Sequence, residues 1–215
     1  MKRVAIFGST GSVGVQSLSV INQNNDQFKI VSLSCNHNAD LLFEQTKHFM
    51  PEKIAINVLD INHSLRSFCE NNNIELIVGE NSSNLLSQYK NVDLVINSIV
   101  GTDGLVPTLN TVNNNIDLAL SNKESLVLGG HLIMPQVKEN TSNLIPVDSE
   151  HSAIFQCLHG EQDNTLKKII LTGSGGPFLK REINTFDSIK PEEALKHPNW
   201  DMGKKISIDS ATMMN

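Results

Sequence analysis

Short apolar runs alternate with stretches in which apolar residues recur at helical spacing over the first two thirds of the chain. Helical patterns lie around Leu18, Leu65, Leu85 and Leu109. The apolar runs predict six strands, at 4–7, 28–34, 53–56, 74–78, 92–97 and 117–120. Strand after helix after strand predicts an α/β fold with a doubly wound, Rossmann-like parallel sheet.

A glycine turn follows the first strand at once. Residues 8–14 read Gly-Ser-Thr-Gly-Ser-Val-Gly and open a helical pattern. In that position glycines let the backbone approach a pyrophosphate, and the helix N-terminus supplies free N–H groups. The spacing is G-x-x-G-x-x-G, not the commoner G-x-G-x-x-G. The pattern predicts a site for the phosphates of a nucleotide. The alternative is a tight turn that binds no ligand.

The end of the second strand indicates which nucleotide is preferred. NAD-specific folds place an acidic residue here on the ribose 2′-hydroxyl, whereas NADP sites avoid that charge. This strand ends in Asn36, His37 and Asn38, and His37 is able to carry a positive charge. Asp40 is expected in the first turn of the next helix. The pattern favours NADP over NAD.

A pair of carboxylates follows the short apolar run 144–147. Asp148 and Glu150 are two residues apart, and on an extended segment such positions share a face. Two converging hard oxygen ligands suit Mg²⁺ or Mn²⁺. Ser149 adds a hydroxyl between them. The alternative is that Asp148 or Ser149 only caps the following helix.

Parallel sheets bind ligands at the carboxyl ends of their strands, and two further loops are expected there. One loop is 97–101; the other holds Asn122, Lys123 and Glu124, where Lys123 is suited to a substrate oxygen or phosphate. An ordinary surface Lys–Glu pair is the alternative for the second loop.

The last third of the chain predicts the beginning of a second, α+β catalytic domain, so that domains 1–149 and 150–215 are expected. Strands are predicted at 168–172 and 205–208. The glycine-rich turn 173–178 is a candidate anion site that includes Ser174. The loop 197–203 holds the single Trp of the chain, Trp200, and suits a lid over a reactive site. A Trp that only anchors this loop is the alternative.

Composition excludes several classes of protein. The net charge of −6 and the pI near 5.6 argue against a nucleic-acid partner. The three cysteines form no CxxC pair, which fits reduced thiols in the cytoplasm. No apolar run approaches the length of a signal core or a membrane span. We therefore expect a cytoplasmic protein with no membrane partner.

Taken together, six runs of this sequence resemble the 1-deoxy-D-xylulose 5-phosphate reductoisomerase family. The runs are GSTGSVG, SNKESLV, PVDSEH, TGSGGPF, HPNWxMG and IDSATMMN, in that order from residue 8 to residue 215. The resemblance implies conversion of 1-deoxy-D-xylulose 5-phosphate to 2-C-methyl-D-erythritol 4-phosphate for isoprenoid biosynthesis. It also implies NADPH and Mn²⁺ or Mg²⁺ as cofactors, a small phosphorylated sugar as substrate and a homodimer at full length.

The same resemblance implies a role for individual residues. Those implied for NADPH are Thr10, Gly11, Ser12, Val13, His37, Asn38, Asn122, Glu124 and Gly203. Those implied for the substrate are Lys123, Ser149, Glu150, Ser174, His197, Trp200, Met202, Ser210 and Asn215. Asp148 and Glu150 are the implied metal ligands, and with Lys123 and His197 they form the expected catalytic set.

Two departures from the family pattern qualify these expectations. The family commonly has Gly-Lys-Asn where this chain has Asn36-His37-Asn38, which weakens the expected grip on the 2′-phosphate. The family pattern also continues past Met-Met-Asn with Lys-Gly-Leu-Glu, so the chain is expected to be an N-terminal fragment that is inactive alone. The alternatives are another NADP-dependent reductase of a phosphorylated substrate, or an inactive nucleotide-binding fragment.

Overall fold

The first 148 residues form a single parallel sheet covered by helices on both faces. The computed structural model describes residues 1–161, 166–201 and 203–212, with side chains as far as Asp209. The chain divides into two compact units, Met1–Asp148 and Ser149–Asn215. No helix among the described residues is both long and apolar enough to cross a membrane.

Seven strands build the sheet of the first unit. They are β1 (Lys2–Phe7), β2 (Phe28–Cys35), β3 (Lys53–Ile56), β4 (Glu75–Val78), β5 (Leu94–Asn97), β6 (Asp117–Leu120) and β7 (Leu144–Pro146). All pairs are parallel, and the strand order is β4-β3-β2-β1-β5-β6-β7. The predicted Rossmann-like α/β sheet is confirmed, and the run after residue 143 adds a seventh strand at its edge.

Helices connect these strands, and those around Leu18, Leu65, Leu85 and Leu109 lie where the apolar spacing predicts them. They are α1 (Ser12–Gln23), α2 (Ala39–Phe49), α3 (Ser64–Asn71), α4 (Ser82–Leu86), α5 (Leu105–Asn113) and α6 (Lys123–Glu139). A short 3-10 helix, Gly101–Gly104, precedes α5. Each face of the sheet carries its own buried cluster, one centred on Ile6 and Leu33 and the other on Phe7 and Leu118. Burial of both faces explains why the strands read as apolar runs.

Asparagine triplets end two of the helices. Asn73 follows α3 and Asn115 follows α5, and both adopt left-handed backbone conformations, with φ of 54° and 56°. Asparagine is the residue that most often replaces glycine in that position after a helix. The asparagine runs are therefore helix stops.

A charged network ties the amino ends of the central strands together. Arg3 Nη2 donates to Glu52 Oε2 at 2.6 Å, the Tyr89 hydroxyl donates to the same oxygen at 2.5 Å, and Lys29 Nζ lies 3.3 Å from Glu52 Oε1. The hydrogen bond from Arg3, followed by that from Tyr89, lowers the pKa of Glu52 to about 2. This network lies at the end of the sheet opposite the loops where ligands are expected.

Within the described residues, the second unit is helical where it is regular. Its elements are α7 (Ser149–Leu158), a 3-10 helix (Ile183–Ser188), α8 (Pro191–Ala194) and α9 (Lys204–Thr212). The strand predicted at 205–208 is wrong, because that segment lies in α9. Lys205 pairs there with Asp209 one turn later at 2.8 Å, and the Ser207 hydroxyl donates to the Gly203 carbonyl. These local contacts require no partner strand.

The strand predicted at 168–172 is also wrong. Its residues form no regular element, and no described strand pairs with them. A strand depends on backbone hydrogen bonds to a neighbour, so an alternating pattern alone does not create one.

Candidate functional site

The glycine turn lies where the strand order of the sheet reverses. β1 has β2 on one side and β5 on the other, and the connections leave in opposite directions from there. Ligands in open parallel sheets bind outside the carboxyl ends of the strands at this point. Gly11 and Ser12, at the start of α1, are exposed there, and no side chain caps the described N-terminus of α1. The start of α1 is therefore accessible at the switch point, as a phosphate site requires.

Two glycines of the turn are needed for packing. Gly8 has a φ of +82°, and a Cβ there would lie 2.9 Å from the Ser98 carbonyl carbon. A Cβ on Gly14 would lie 2.3 Å from the Gly8 carbonyl oxygen, so α1 sits directly on the turn. Ser98, just after β5, donates through its hydroxyl to the Phe7 carbonyl at 2.8 Å. The turn and the loop after β5 are thus interlocked.

The loop between β2 and α2 carries no acidic group toward the ribose position. Asn36, His37 and Asn38 are all exposed, and the Asn38 side chain caps α2 by accepting from the Leu41 N–H at 3.2 Å. Asp40 lies in the first turn of α2, as expected, and its carboxylate lies 3.2 Å from His63 Nε2. The uncharged loop end is the feature that NADP sites share.

A buried polar network fixes the loop after β5. Asn97 donates through its side-chain amide to the Gly104 carbonyl at 3.0 Å and to the Thr108 hydroxyl at 2.9 Å. Asn122, which is 1% exposed, donates to the Ile99 carbonyl at 2.6 Å and to the Gly101 carbonyl at 2.8 Å. Its amide oxygen also caps α6 by accepting from the Ser125 N–H. The side chain of Asn122 therefore organises the crevice from within, and a contact between Asn122 and a cofactor stays a prediction.

The carboxyl ends of β6 and β7 bring Lys123 and Asp148 together. Lys123 Nζ donates to Asp148 Oδ2 at 2.9 Å, and the two side chains are 13% and 15% exposed. Because adjacent parallel strands end at the same edge, residues 25 positions apart meet there. The first unit thus joins these two candidate residues directly, as it does Asn122 and Glu124, where the Asn122 amide donates to Glu124 Oε2 at 3.3 Å.

Glu150 does not lie on an extended segment with Asp148. β7 stops at Pro146, and Ser149 and Glu150 already form the first turn of α7. The expectation that these carboxylates share one face of a strand is wrong, because the polypeptide turns into a helix between them. The Ser149 hydroxyl donates to Glu150 Oε2 at 3.2 Å. The assignment of both carboxylates as metal ligands stays a prediction.

The second unit joins Ser174 to His197. His197 Nε2 lies 3.0 Å from the Ser174 hydroxyl, and the imidazole stacks on Trp200 with ring centroids 4.7 Å apart. His197 Nδ1 accepts from the backbone N–H groups of Asn199 and Trp200, each at 3.2 Å. With Nδ1 as the acceptor, the neutral ring carries its proton on Nε2 and donates it to Ser174. Gly175 and Gly176, both with positive φ, form the turn that places Ser174.

Comparison with known proteins gives the family. Residues 4–130 match the model of 1-deoxy-D-xylulose 5-phosphate reductoisomerase, and residues 144–215 match that of its C-terminal domain. The chain belongs to this family.

Individual reductoisomerases support the assignment over the whole chain. The enzyme of Chloroherpeton thalassium is 48% identical over 215 residues, and that of Clostridium beijerinckii is 44% identical over 217; each match covers all of this chain and 56% of the relative. A crystal structure of DOX-P reductoisomerase with NADPH, fosmidomycin and magnesium superposes with a TM-score of 0.88 at 36% identity, covering all of this chain and 55% of that one. The Zymomonas mobilis enzyme with NADPH gives 0.86 at 34% identity and the same coverage. The chain thus spans about half the length of the reductoisomerases it matches.

Three of the reductoisomerase positions named from the sequence have no described side chain. Met202 and Asn215 lie outside the described residues, and Ser210 lies in α9 without a described side chain. Gly203 is exposed just before α9, and its carbonyl accepts from the Ser207 N–H. The expected roles of these residues stay predictions.

Sequence reasoning predicted the loop 97–101 at the site but missed the buried polar contacts that support it. Asn97, Thr108 and Ser125 form part of the network after β5, and Gln45 contacts the glycine turn from α2. One signal was available for Gln45, because it lies three residues after Leu42 on the apolar face of α2. A polar residue in that position requires a buried hydrogen-bonding partner.

Proposed function

We propose that the protein to which this chain belongs converts 1-deoxy-D-xylulose 5-phosphate to 2-C-methyl-D-erythritol 4-phosphate. In this proposal residues 1–149 bind NADPH, and residues 150–215 contribute to the metal and substrate site. The observation that carries it is the conjunction of an open helix N-terminus at the switch point with the Lys123–Asp148 pair at the same edge of the sheet. We further propose that this protein is a homodimer located in the cytoplasm.

The first unit fits an NADPH molecule. The exposed start of α1 would hold the pyrophosphate, and Thr10, Gly11, Ser12 and Val13 surround it. The exposed Asn36, His37 and Asn38 would face the 2′-phosphate, where an acidic side chain would repel it. The absence of a carboxylate among those three residues supports NADPH over NADH.

The donor atoms of Asp148 and Glu150 fit Mg²⁺ or Mn²⁺. Both are carboxylate oxygens, which hard divalent cations prefer. Two carboxylates supply only part of the six or more oxygen ligands of such an ion, which leaves coordination positions for further oxygen ligands. Asp148 is held in a fixed position by Lys123, which favours an ordered ligand.

The candidate residues would position the substrate for the reaction. A bound divalent ion supplies Lewis acidity to a carbonyl and neighbouring hydroxyl, and NADPH supplies hydride. Lys123 would hold a substrate oxygen next to Asp148. Ser174 and His197 would hold the phosphate and so orient the carbon skeleton. Trp200, which is 56% exposed and stacked on His197, would cover the bound substrate and exclude water from it.

A two-part experiment tests this proposal. The 215-residue chain is titrated with NADPH, and a chain completed to the length of its relatives is assayed for metal-dependent NADPH oxidation with 1-deoxy-D-xylulose 5-phosphate. We expect binding by the shorter chain without turnover, and turnover by the completed one. A completed chain that binds NADPH and metal but leaves this substrate unchanged would overturn the proposed reaction. Turnover by the 215-residue chain itself would show that Asp148 and Glu150 are sufficient carboxylates.

A further inference from the structure

Ser9 and Gln45 hold each other through two reciprocal hydrogen bonds. The Ser9 hydroxyl donates to Gln45 Oε1 at 2.7 Å, and Gln45 Nε2 donates back to the Ser9 carbonyl at 2.8 Å. Ser9 is fully buried and Gln45 is 7% exposed. This arrangement, here named the Ser9–Gln45 clamp, joins the glycine turn to α2.

The clamp connects two parts of the nucleotide site that are far apart in sequence. Ser9 lies in the turn proposed for the pyrophosphate. Gln45 lies in α2, which begins directly after Asn38 and is capped by it, so α2 carries the loop proposed for the 2′-phosphate. The N–H groups of Gly8 and Ser9 also donate to the Ser34 carbonyl, at 2.9 Å and 2.8 Å, which joins the turn to β2 as well.

Glutamine suits this position because its amide offers a donor and an acceptor at once. The backbone carbonyl of Ser9 needs a donor and its hydroxyl needs an acceptor, and both groups are buried. Glutamate would accept from the hydroxyl but would leave the carbonyl without its donor. Methionine would pair neither group, and a buried polar group without a partner is costly.

We propose that Gln45 is a positioning residue for the nucleotide. The clamp keeps the pyrophosphate turn at a fixed distance from the loop 36–38, so that one nucleotide engages both parts at the same time. Gln45 itself touches no part of the nucleotide in this proposal, which rests on the proposed binding of NADPH by the first unit.

The clamp predicts a specific pattern of affinities. Gln45→Met should weaken NADPH binding about tenfold, because two buried polar groups of the turn lose their partners. The preference for NADPH over NADH should also fall, because the 2′-phosphate contacts depend on the loop 36–38 staying in place. Ser9→Ala, which removes one of the two hydrogen bonds, should weaken binding severalfold.

The neighbouring residue provides a matched control. Thr46 is also fully buried in α2, but its hydroxyl donates only within the helix, to the Leu42 carbonyl at 2.7 Å. Thr46→Val therefore removes a buried hydrogen bond from the same helix without changing the clamp. A general loss of stability would affect both variants, whereas loss of positioning affects only Gln45→Met.

The experiment measures NADPH and NADH dissociation constants for the 215-residue chain and its variants by fluorescence titration, at a temperature where circular dichroism shows all of them folded. Weaker binding and a reduced NADPH preference in Gln45→Met, with Thr46→Val unchanged, support the proposal. Equal affinities in Gln45→Met and Thr46→Val overturn it while leaving the proposed NADPH site intact. If Gln45→Met does not fold, Ser9→Ala decides, and an affinity equal to that of the unsubstituted chain overturns the proposal. If the unsubstituted chain binds no NADPH, the proposed nucleotide site and this inference both fall.

Discussion

At the scale of single residues, close packing fixes the glycine turn, because a Cβ on Gly8 or Gly14 would lie less than 3 Å from backbone atoms. The sequence identified both glycines as part of a turn that approaches a pyrophosphate, and it placed Asp40 in the first turn of a helix. Gln45 and the buried contacts of Asn97 were missed, since Gln45 bonds to a turn far away in the sequence and Asn97 bonds to Thr108 in the following helix. Spacing along the chain carries no information about such contacts.

The uncharged loop after β2 leads to a prediction about nucleotide choice. His37→Asp places a carboxylate where the 2′-phosphate is proposed to lie. Repulsion should weaken NADPH binding about tenfold at low ionic strength while changing NADH binding little. The control is Gln27→Asp, which adds the same charge at the exposed amino end of β2. Dissociation constants for both nucleotides measure the effect, and an equal loss for NADPH and NADH would contradict this role of His37.

The hydrogen bond between Ser174 and His197 leads to a second prediction at this scale. In a chain completed to the length of its relatives, Ser174→Ala should raise KM for the phosphorylated substrate roughly ten- to hundredfold, because a hydrogen bond to a charged group is lost. The value of kcat should change less. Ser188→Ala is the control, since the Ser188 hydroxyl donates locally to the Thr185 carbonyl. Steady-state kinetics decide, and an unchanged KM in the Ser174 variant would remove it from the phosphate site.

Elements were predictable in the first unit and less so in the second. Buried parallel strands are apolar on both faces, so the runs at 53–56 and 117–120 coincide with β3 and β6. The runs at 168–172 and 205–208 look similar in sequence, yet one is irregular and the other lies in α9. Short alternating segments adopt whichever backbone their hydrogen-bonding neighbours allow. The extended backbone predicted for Glu150 was wrong for the same reason, since α7 begins at Ser149.

The cap of α6 gives a prediction at the scale of elements. Asn122→Ala should reduce the free energy of unfolding by about 2–4 kcal/mol, because it removes the cap and leaves the Ile99 and Gly101 carbonyls without a donor. Asn38→Ala, which removes the cap of α2 at an exposed site, should cost only about 1 kcal/mol. Urea unfolding of the two variants measures the difference. Similar losses in both would show that the buried contacts of Asn122 add nothing beyond capping.

At the largest scale, the sheet of the first unit separates the Arg3–Glu52 network at one end from the charged residues proposed for function at the other. The Arg3–Glu52 network lies at the amino ends of the strands, whereas Lys123 and Asp148 lie at the carboxyl ends. Substitutions at the amino end are therefore expected to change stability and to leave nucleotide binding unchanged. This division follows from the parallel sheet, which the sequence predicted, but the particular partners of Glu52 were not predictable.

Acid stability tests the amino-end network. The folded state holds the pKa of Glu52 at about 2, below the ordinary value of 4.5, so the stabilisation is complete above about pH 5 and is lost as the pH falls toward 2. Glu52→Gln should thus be less stable than the unsubstituted chain at pH 7, and the two should converge at low pH. Glu80→Gln, at an exposed position, is the control. Urea unfolding at several pH values measures this, and a constant difference at all pH values would contradict the assignment.

The central position of β1 determines the order in which the sheet can form while the polypeptide is being translated. β2, β3 and β4 can add to one side of β1 in the order in which they are made, but its other side pairs with β5, about ninety residues later in the chain. At ordinary translation rates that interval lasts roughly 5–20 s. During it, Val4 to Phe7 form an open edge that is fully buried in the finished sheet. Ser98 reaches the glycine turn only when that edge closes, so the nascent chain carries an unpaired apolar strand edge until β5 has been made and the turn is complete.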